Sequence, residues 1–366
     1  MPPFKLNIAQ QRLESQRLVG KGFRKPADVV RWLGAVQSQD YAGAKWGVAV
    51  RMHAITDAAI DAAFSAGELL RTHILRPTWH LVTPEDLRWM LALTGPRGQA
   101  ANARVYRGLE LDEVMLKRAR AIITRALRDG NYLTRAQLGQ ELAAKKIPAT
   151  GQRLAYVIMH CELDAMICSG PLRAGKHTYA LVDERAPAAA AWQREELLGE
   201  LARRYFTSHG PATAHDFAWW SGLTVRDARL GAEIAGDALH SVEVDGKRYW
   251  LAARPRTRRT QSAVVHLLPN YDEHVVAYRD HAPSLDPQAP DALAGWGNAQ
   301  TTHLVARNGL VVGGWRRTVE GDHAVVRLRM RVRLQQVERR GLERAAAAYG
   351  RFLGRPVRLE QARTSL

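Results

Sequence analysis

The chain has 366 residues and is 46% apolar, enough for two or three globular domains, and no apolar run reaches transmembrane length. Its two cysteines, Cys161 and Cys168, exclude a disulfide framework and argue against a cysteine-based zinc site. The net charge is +17, with 44 Arg and nine Lys, and this excess marks a polyanionic partner. Charge alone admits DNA, RNA, an anionic membrane or an acidic protein. Arginine favours planar, bidentate contacts to phosphate and guanine. No basic amphipathic helix with a bulky apolar face supports a membrane surface. The opening "MPPFKLNIAQQRLESQRL" has no hydrophobic signal core, so a cytoplasmic location is expected.

In chain order, the pattern predicts helices over Ile8–Leu18 and Pro26–Val36, the second with Pro26 suited to a first turn. "VQSQD" follows and sets Gln37 and Gln39 one residue apart at what reads as a helix end. A helix over Asp57–Ala66 precedes a hairpin in "LLRTHILRPTWHLV", whose two extended runs flank Arg76-Pro77. "TPEDLRWML" then opens a helix with Thr83, Pro84, Glu85 and Asp86 at its N-terminus. A second unit reads helix, helix and two strands. Thr134 caps "RAQLGQELAAKK", "TGQRLAYVIMHCELDAMI" is the second helix, and "ICSGPLRAGKHTYALV" the strand pair. A third unit repeats the order and closes on "HSVEVDGKRYWLA", with Asp245-Gly246 as the hairpin turn. Helix, turn, helix and β-ribbon in that order is a winged-helix pattern.

The expected fold class is therefore α+β, mainly helical, with three tandem winged-helix domains. The boundaries expected are 1–130, 131–188, and 189–366, the last with a β-rich extension. Beyond Arg254, "ARPRTRRTQ" concentrates four Arg in a loop-like run, and Arg256, Arg258 and Arg259 are candidate phosphate contacts. "GLVVGGWRRTV" and "AVVRLRMRVRL" read as strands, and a helix over Val337–Phe352 would bury Leu342, Ala345, Tyr349 and Phe352. In the second strand, Arg327, Arg329, Arg331 and Arg333 alternate with apolar residues, which fits a solvated sheet face as well as a DNA contact.

No Walker loop or dinucleotide fingerprint appears, so nucleotide-driven chemistry and a bound cofactor are not expected, and no histidine spacing suits a metal. His73 and His80 flank the hairpin and can approach each other. Trp219, Trp220 and Trp250 read as core. Asn270, Asp272, Glu273 and His274, after Leu268-Pro269, read either as a capped helix start or as the lining of a cleft between the first and third units.

Four segments, "LGAVQSQ", "RTHILRPTWHLVTPEDL", "LLPNYDEHVVAYRD" and "GLVVGGWRR", together resemble the AlkZ-like winged-helix DNA glycosylases of bacteria, over about Leu33 to Trp315. The resemblance implies a C-shaped arrangement of the three units around double-stranded DNA. It also implies excision of bulky N7-alkylated purines and, in some members, unhooking of interstrand crosslinks formed by natural-product genotoxins. That family's catalytic motif is glutamine, an aliphatic residue, glutamine, which maps onto Gln37 and Gln39; Ser38 departs from the aliphatic preference. A sister group carries Asp at the second position. The expected DNA contacts are Arg71, Arg76, His80, Arg256, Arg258, Arg259, Asn270, Asp272, Trp315, Arg316 and Arg317, with the protein acting as a monomer.

The chemistry explains why two neutral amides suffice. An N7-alkylated purine is already cationic and leaves without a strong acid. What remains is to stabilise an oxocarbenium-like sugar and hold a water near its anomeric carbon, which amide oxygens can do by dipole and hydrogen bond. The alternative is a tandem winged-helix transcriptional regulator without catalysis. An RNA-binding protein is a third reading, without the signatures of the common RNA modules.

Overall fold

A computed structural model describes residues 6–188, 192–252, 263–292 and 303–361. Arg256, Arg258 and Arg259 lie outside the described residues.

The chain opens with α1 (Ile8–Ser15), whose N-cap Asn7 accepts the Gln10 N–H. Next come α2 (Pro26–Leu33), β1 (Val36–Gln37), α3 (Tyr41–Ala49) and α4 (Asp57–Ala66). The helix expected to reach Val36 stops at Leu33, because Gly34 takes φ +80° and ψ −51°, a conformation only glycine adopts cheaply. The hairpin stands where the sequence puts it, as β2 (Leu70–Ile74) and β3 (Thr78–Val82). The three short strands form one sheet in the order β1-β3-β2. Two helices follow, α5 (Pro84–Gly108) and α6 (Glu113–Leu127). The first runs far beyond its legible start and tolerates an internal Pro96, and the second was not anticipated.

The next group is β4 (Leu133–Thr134), α7 (Arg135–Ala144), α8 (Gly151–Leu163), β5 (Ile167–Ser169), β6 (Thr178–Leu181) and α9 (Val182–Arg185). Thr134 caps α7 as expected, within a full capping box. A third group holds α10 (Arg194–His209), α11 (Ala214–Ser221), α12 (Val225–Ile234) and the ribbon β7 (His240–Val244) with β8 (Lys247–Leu251). The remaining elements are β9 (Val265–Leu268), α13 (Glu273–Val276), β10 (His303–Arg307), β11 (Leu310–Glu320), β12 (His323–Met330), α14 (Gln336–Leu353) and β13 (Val357–Gln361). Their five strands form one sheet in the order β13-β12-β11-β10-β9. The molecule is a mixed α/β protein, and among the described residues no helix is long and apolar enough to cross a membrane.

Strand β12 ends at Met330, so Arg331 and Arg333 fall outside the expected stripe. Arg327 is tied within its own sheet, 3.0 Å from Glu320 and 3.1 Å from Glu360. Helix α14 buries Leu342, Tyr349 and Phe352, while Ala346 rather than Ala345 faces fully inward.

Two cores meet at the first strand. One joins Leu70 and Ile74 of the hairpin to Trp89 of α5 and to Tyr205, Phe206 and Trp220 of the third group. The other packs α2 and α3 against the five-stranded sheet and α14. Ala35 belongs to the first core and Val36 to the second, so Gln37 emerges from their seam.

Candidate active site

Gln37 sits on a strand, not at a helix end. Val36 pairs with Leu81 and Gln37 with His80 in an antiparallel ladder, and Ser38 continues it by donating its N–H to the Trp79 carbonyl at 2.7 Å. Extended backbone sends successive side chains to opposite faces. Gln37 is 5% exposed and Ser38 0% exposed, whereas Gln39 is exposed at the end of the run. The motif thus has a buried member, a backward-facing member and an open one.

Two arginines from the hairpin grip the motif. Arg76 Nη2 donates to Gln37 Oε1 at 3.0 Å. Its Nη1 donates to the carbonyls of Trp219 and Val276 at 3.1 and 3.4 Å, and its guanidinium lies 4.9 Å from the centre of the Trp219 ring. Arg71 donates to the Ser38 carbonyl through Nε at 3.2 Å and Nη2 at 3.0 Å, and through Nε also to the Ser38 hydroxyl at 3.3 Å. It stacks 4.0 Å over Trp79. The serine in the middle position therefore has a partner that an aliphatic side chain could not offer. Both arginines were expected to reach DNA; their hydrogen bonds instead run to the motif and its flanking backbone. The Gln37 oxygen accepts from Arg76 with one of its two lone pairs. The Gln39 Oε1 makes only a long contact, 3.4 Å from the Trp79 N–H.

A buried carboxylate fixes the backbone. Glu273 Oε1 accepts the Gln37 N–H at 2.9 Å, and Oε2 accepts the Trp220 indole N–H at 3.0 Å, with His209 Nε2 at 3.4 Å. Burial pushes this carboxyl upward, but His209 and the other hydrogen bonds outweigh it and hold it below the ordinary range. In the sequence Glu273 reads as part of a capped helix start or of a cleft lining between the first and third units, but nothing local signals its particular partner 236 positions away.

Several expected DNA contacts are buried. His80 is 0% exposed, and its Nδ1 lies 2.9 Å from the Thr78 carbonyl. A carbonyl only accepts, so Nδ1 carries the proton, and Nε2 has no partner. Desolvation lowers its pKa to about 4, so the ring is neutral and cannot serve as a phosphate cation. His73, expected to approach His80, bonds Glu162 at 2.5 Å and packs on Trp79. Asp272 caps α13 through the His274 N–H and forms a buried bidentate ion pair with Arg51 at 2.8 and 2.9 Å, so it is a structural anchor. Trp315 is 1% exposed, donates to the Leu268 carbonyl at 2.8 Å and stacks against His303. Alternation puts Arg316 on the opposite, exposed face of β11, and Arg317 donates to the Tyr349 hydroxyl at 2.5 Å. Asn270 donates its backbone N–H to His303 Nδ1 at 2.8 Å. Trp220 is core, as expected, and Trp250 is half-buried, but Trp219 is 37% exposed and floors Arg76.

A family model described as AlkZ-like DNA glycosylase matches residues 30–352. A curated relative, an interstrand DNA cross-link repair glycosylase of Streptomyces sahachiroi, is 25% identical over 329 residues, covering 83% of this chain and 85% of the relative. The solved structure of Streptomyces sahachiroi DNA glycosylase AlkZ is similar in fold, with a TM-score of 0.77 at 23% identity over 97% of this chain and 98% of that one.

Proposed function

This chain belongs to the AlkZ-like DNA glycosylase family and is an enzyme of that class, and from that premise we propose that it hydrolyses the N-glycosidic bond of cationic N7-alkylated purines in duplex DNA. Crosslinks joining two such purines come within the same chemistry, which accords with the cross-link repair activity named for the relative. The three helix–helix–ribbon groups are read as tandem winged helices, about 1–130, 131–188 and 189–366, curved around the duplex. Membership in an enzyme family disfavours the regulator reading.

One observation carries the proposal: the Gln37-Ser38-Gln39 run, tied into the ladder at Gln37 and Ser38, with a buried amide at its first position and an exposed one at its third. Neither glutamine is an effective acid or base. That limits the chemistry to leaving groups that already carry positive charge, for which positioning and dipolar stabilisation are enough. Gln39 holds the attacking water, and Gln37 supports the departing base and sugar. Arg316 on the exposed face of β11 and the basic run at Arg256, Arg258 and Arg259 are the proposed backbone contacts, supported by charge.

The test is single-turnover base release from duplex DNA bearing N7-methylguanine, read by alkaline cleavage at the abasic site. Gln37→Ala and Gln39→Ala should each slow release by roughly 10²-fold or more while leaving the melting temperature and DNA affinity close to wild type. Wild-type rates in both variants would remove the motif from the chemistry.

A further inference from the structure

The orientation of the Gln37 carboxamide is dictated by its neighbour. A guanidinium has five N–H donors and no acceptor. The amide atom 3.0 Å from Arg76 Nη2 must therefore be the oxygen, since a flipped amide would oppose donor to donor. Arg76 is itself held, by the carbonyls of Trp219 and Val276 and by the Trp219 ring beneath it. On the backbone side, Glu273 secures the Gln37 N–H. Side chain and main chain are thus pinned from two directions: one lone pair of the amide oxygen is taken by Arg76, and the NH2 is the amide's donor.

We propose that Arg76 is a positioning residue that turns the Gln37 oxygen inward, so that Gln37 meets the substrate as a hydrogen-bond donor to an acceptor atom of the departing purine. Gln39, exposed at the end of the run, then supplies the amide oxygen that holds water. The inference rests on Gln37 acting in base release, as proposed above. In the reaction the C1′–N9 bond breaks and its electron pair passes to the purine, cancelling the positive charge of the alkylated ring. The water oxygen forms the new bond to C1′, and its proton leaves to solvent. Electron density grows on the purine's ring nitrogens and carbonyl oxygen as the pair arrives. A donor aimed there is more strongly bound in the transition state than in the ground state, which is the condition for catalysis.

The experiment compares Gln37→Ala, Gln37→Glu, Arg76→Lys and the Gln37→Ala/Arg76→Lys double variant on N7-methylguanine duplex, measuring saturating single-turnover rate, DNA affinity and melting temperature. Gln37→Glu keeps the size of the side chain and an oxygen for Arg76 but loses the NH2. It should be as slow as Gln37→Ala, roughly 10²-fold or more below wild type. Arg76→Lys offers one point donor where a fork held the planar amide. Its saturating rate should fall with affinity unchanged, and the double variant should be no slower than Gln37→Ala, because Arg76 acts through Gln37. Gln37→Glu releasing base at or above the wild-type rate would show that the oxygen does the work and overturn the donor assignment. Arg76→Lys with weakened affinity and an unchanged saturating rate would make Arg76 a DNA anchor instead. Should Arg76→Lys fail to fold, the Gln37→Glu arm decides alone. A slow Gln37→Ala beside a fast Gln37→Glu rejects only this inference, whereas a fast Gln37→Ala rejects the base-release reading beneath it.

Discussion

Asp272 and Glu273 are adjacent carboxylates, both buried, and they hold different partners, Arg51 for the first and the Gln37 N–H and Trp220 indole for the second. The helix start at Asp272 was legible, because an Asx side chain after a Pro-Asn-Tyr turn is a local capping signal. Its ion pair was not, since Arg51 stands 221 positions away. The same holds for Glu273 and Gln37. The family resemblance, not their spacing, singles out the two glutamines. In the sequence Arg71 and Arg76, which hold Ser38 and Gln37, read as DNA contacts, and Glu273 as a capped helix start or a cleft lining. Residue type marks the candidates for chemistry, and burial decides which way they face. Asp272 tests this directly. Asp272→Ala would leave Arg51 charged in a site where it is 1% exposed. Removing one partner of a buried pair typically costs about 3–5 kcal/mol. The variant should melt well below wild type, and the DNA affinity of its folded fraction should be unchanged. A variant that melts normally but binds DNA poorly would restore Asp272 to the interface.

At the scale of elements, the amphipathic helices and the hairpins were legible because each carries its own period and turn residues. Helix α4 falls on the residues expected, Asp57–Ala66, and the hairpin β2–β3 on its two runs. Strand β1 was missed because two residues cannot show a period, and its existence depends on a partner 43 to 45 positions later. One local sign was available: Gly34, three residues before Gln37, is the usual residue just past a helix end. It turns the chain from α2 into the ladder, and a Cβ there would meet the Trp220 ring at 3.4 Å. Gly34→Ala therefore strains a backbone conformation that L-residues avoid, at a cost of about 1–3 kcal/mol. Because the same residues lead into Gln37, we expect a lower melting temperature together with slower base release in the molecules that remain folded. A melting loss with an unaltered single-turnover rate would show that the ladder, rather than the turn, sets the position of Gln37.

Across the whole molecule, the formal charge of +17 overstates how much cation is free, since Arg12, Arg51, Arg71 and Arg76 are spent on internal partners. The histidines are equally committed. Burial lowers His80, His177, His274 and His303 from 6.5 to about 4, and they come from the first sheet, the second group, α13 and the five-stranded sheet. A group whose folded pKa is depressed in this way binds more protons unfolded than folded between those two values. Stability is therefore complete above pH 6.5 and falls as pH drops towards 4. For a fully buried ring such as His80 or His274, the loss at pH 5 is about 2 kcal/mol. This window opens before the one in which Asp272 and Glu273, held below the ordinary carboxylate range, would take up protons. Calorimetric melting should thus show a drop of several degrees between pH 7.5 and pH 5. His274 donates through Nε2 to the Gly309 carbonyl at 2.7 Å. His274→Gln keeps a donor for that carbonyl but has no proton to gain, so it should flatten the dependence. A melting temperature constant from pH 7.5 to pH 5 in the wild-type protein would mean that these rings are not held neutral by the fold.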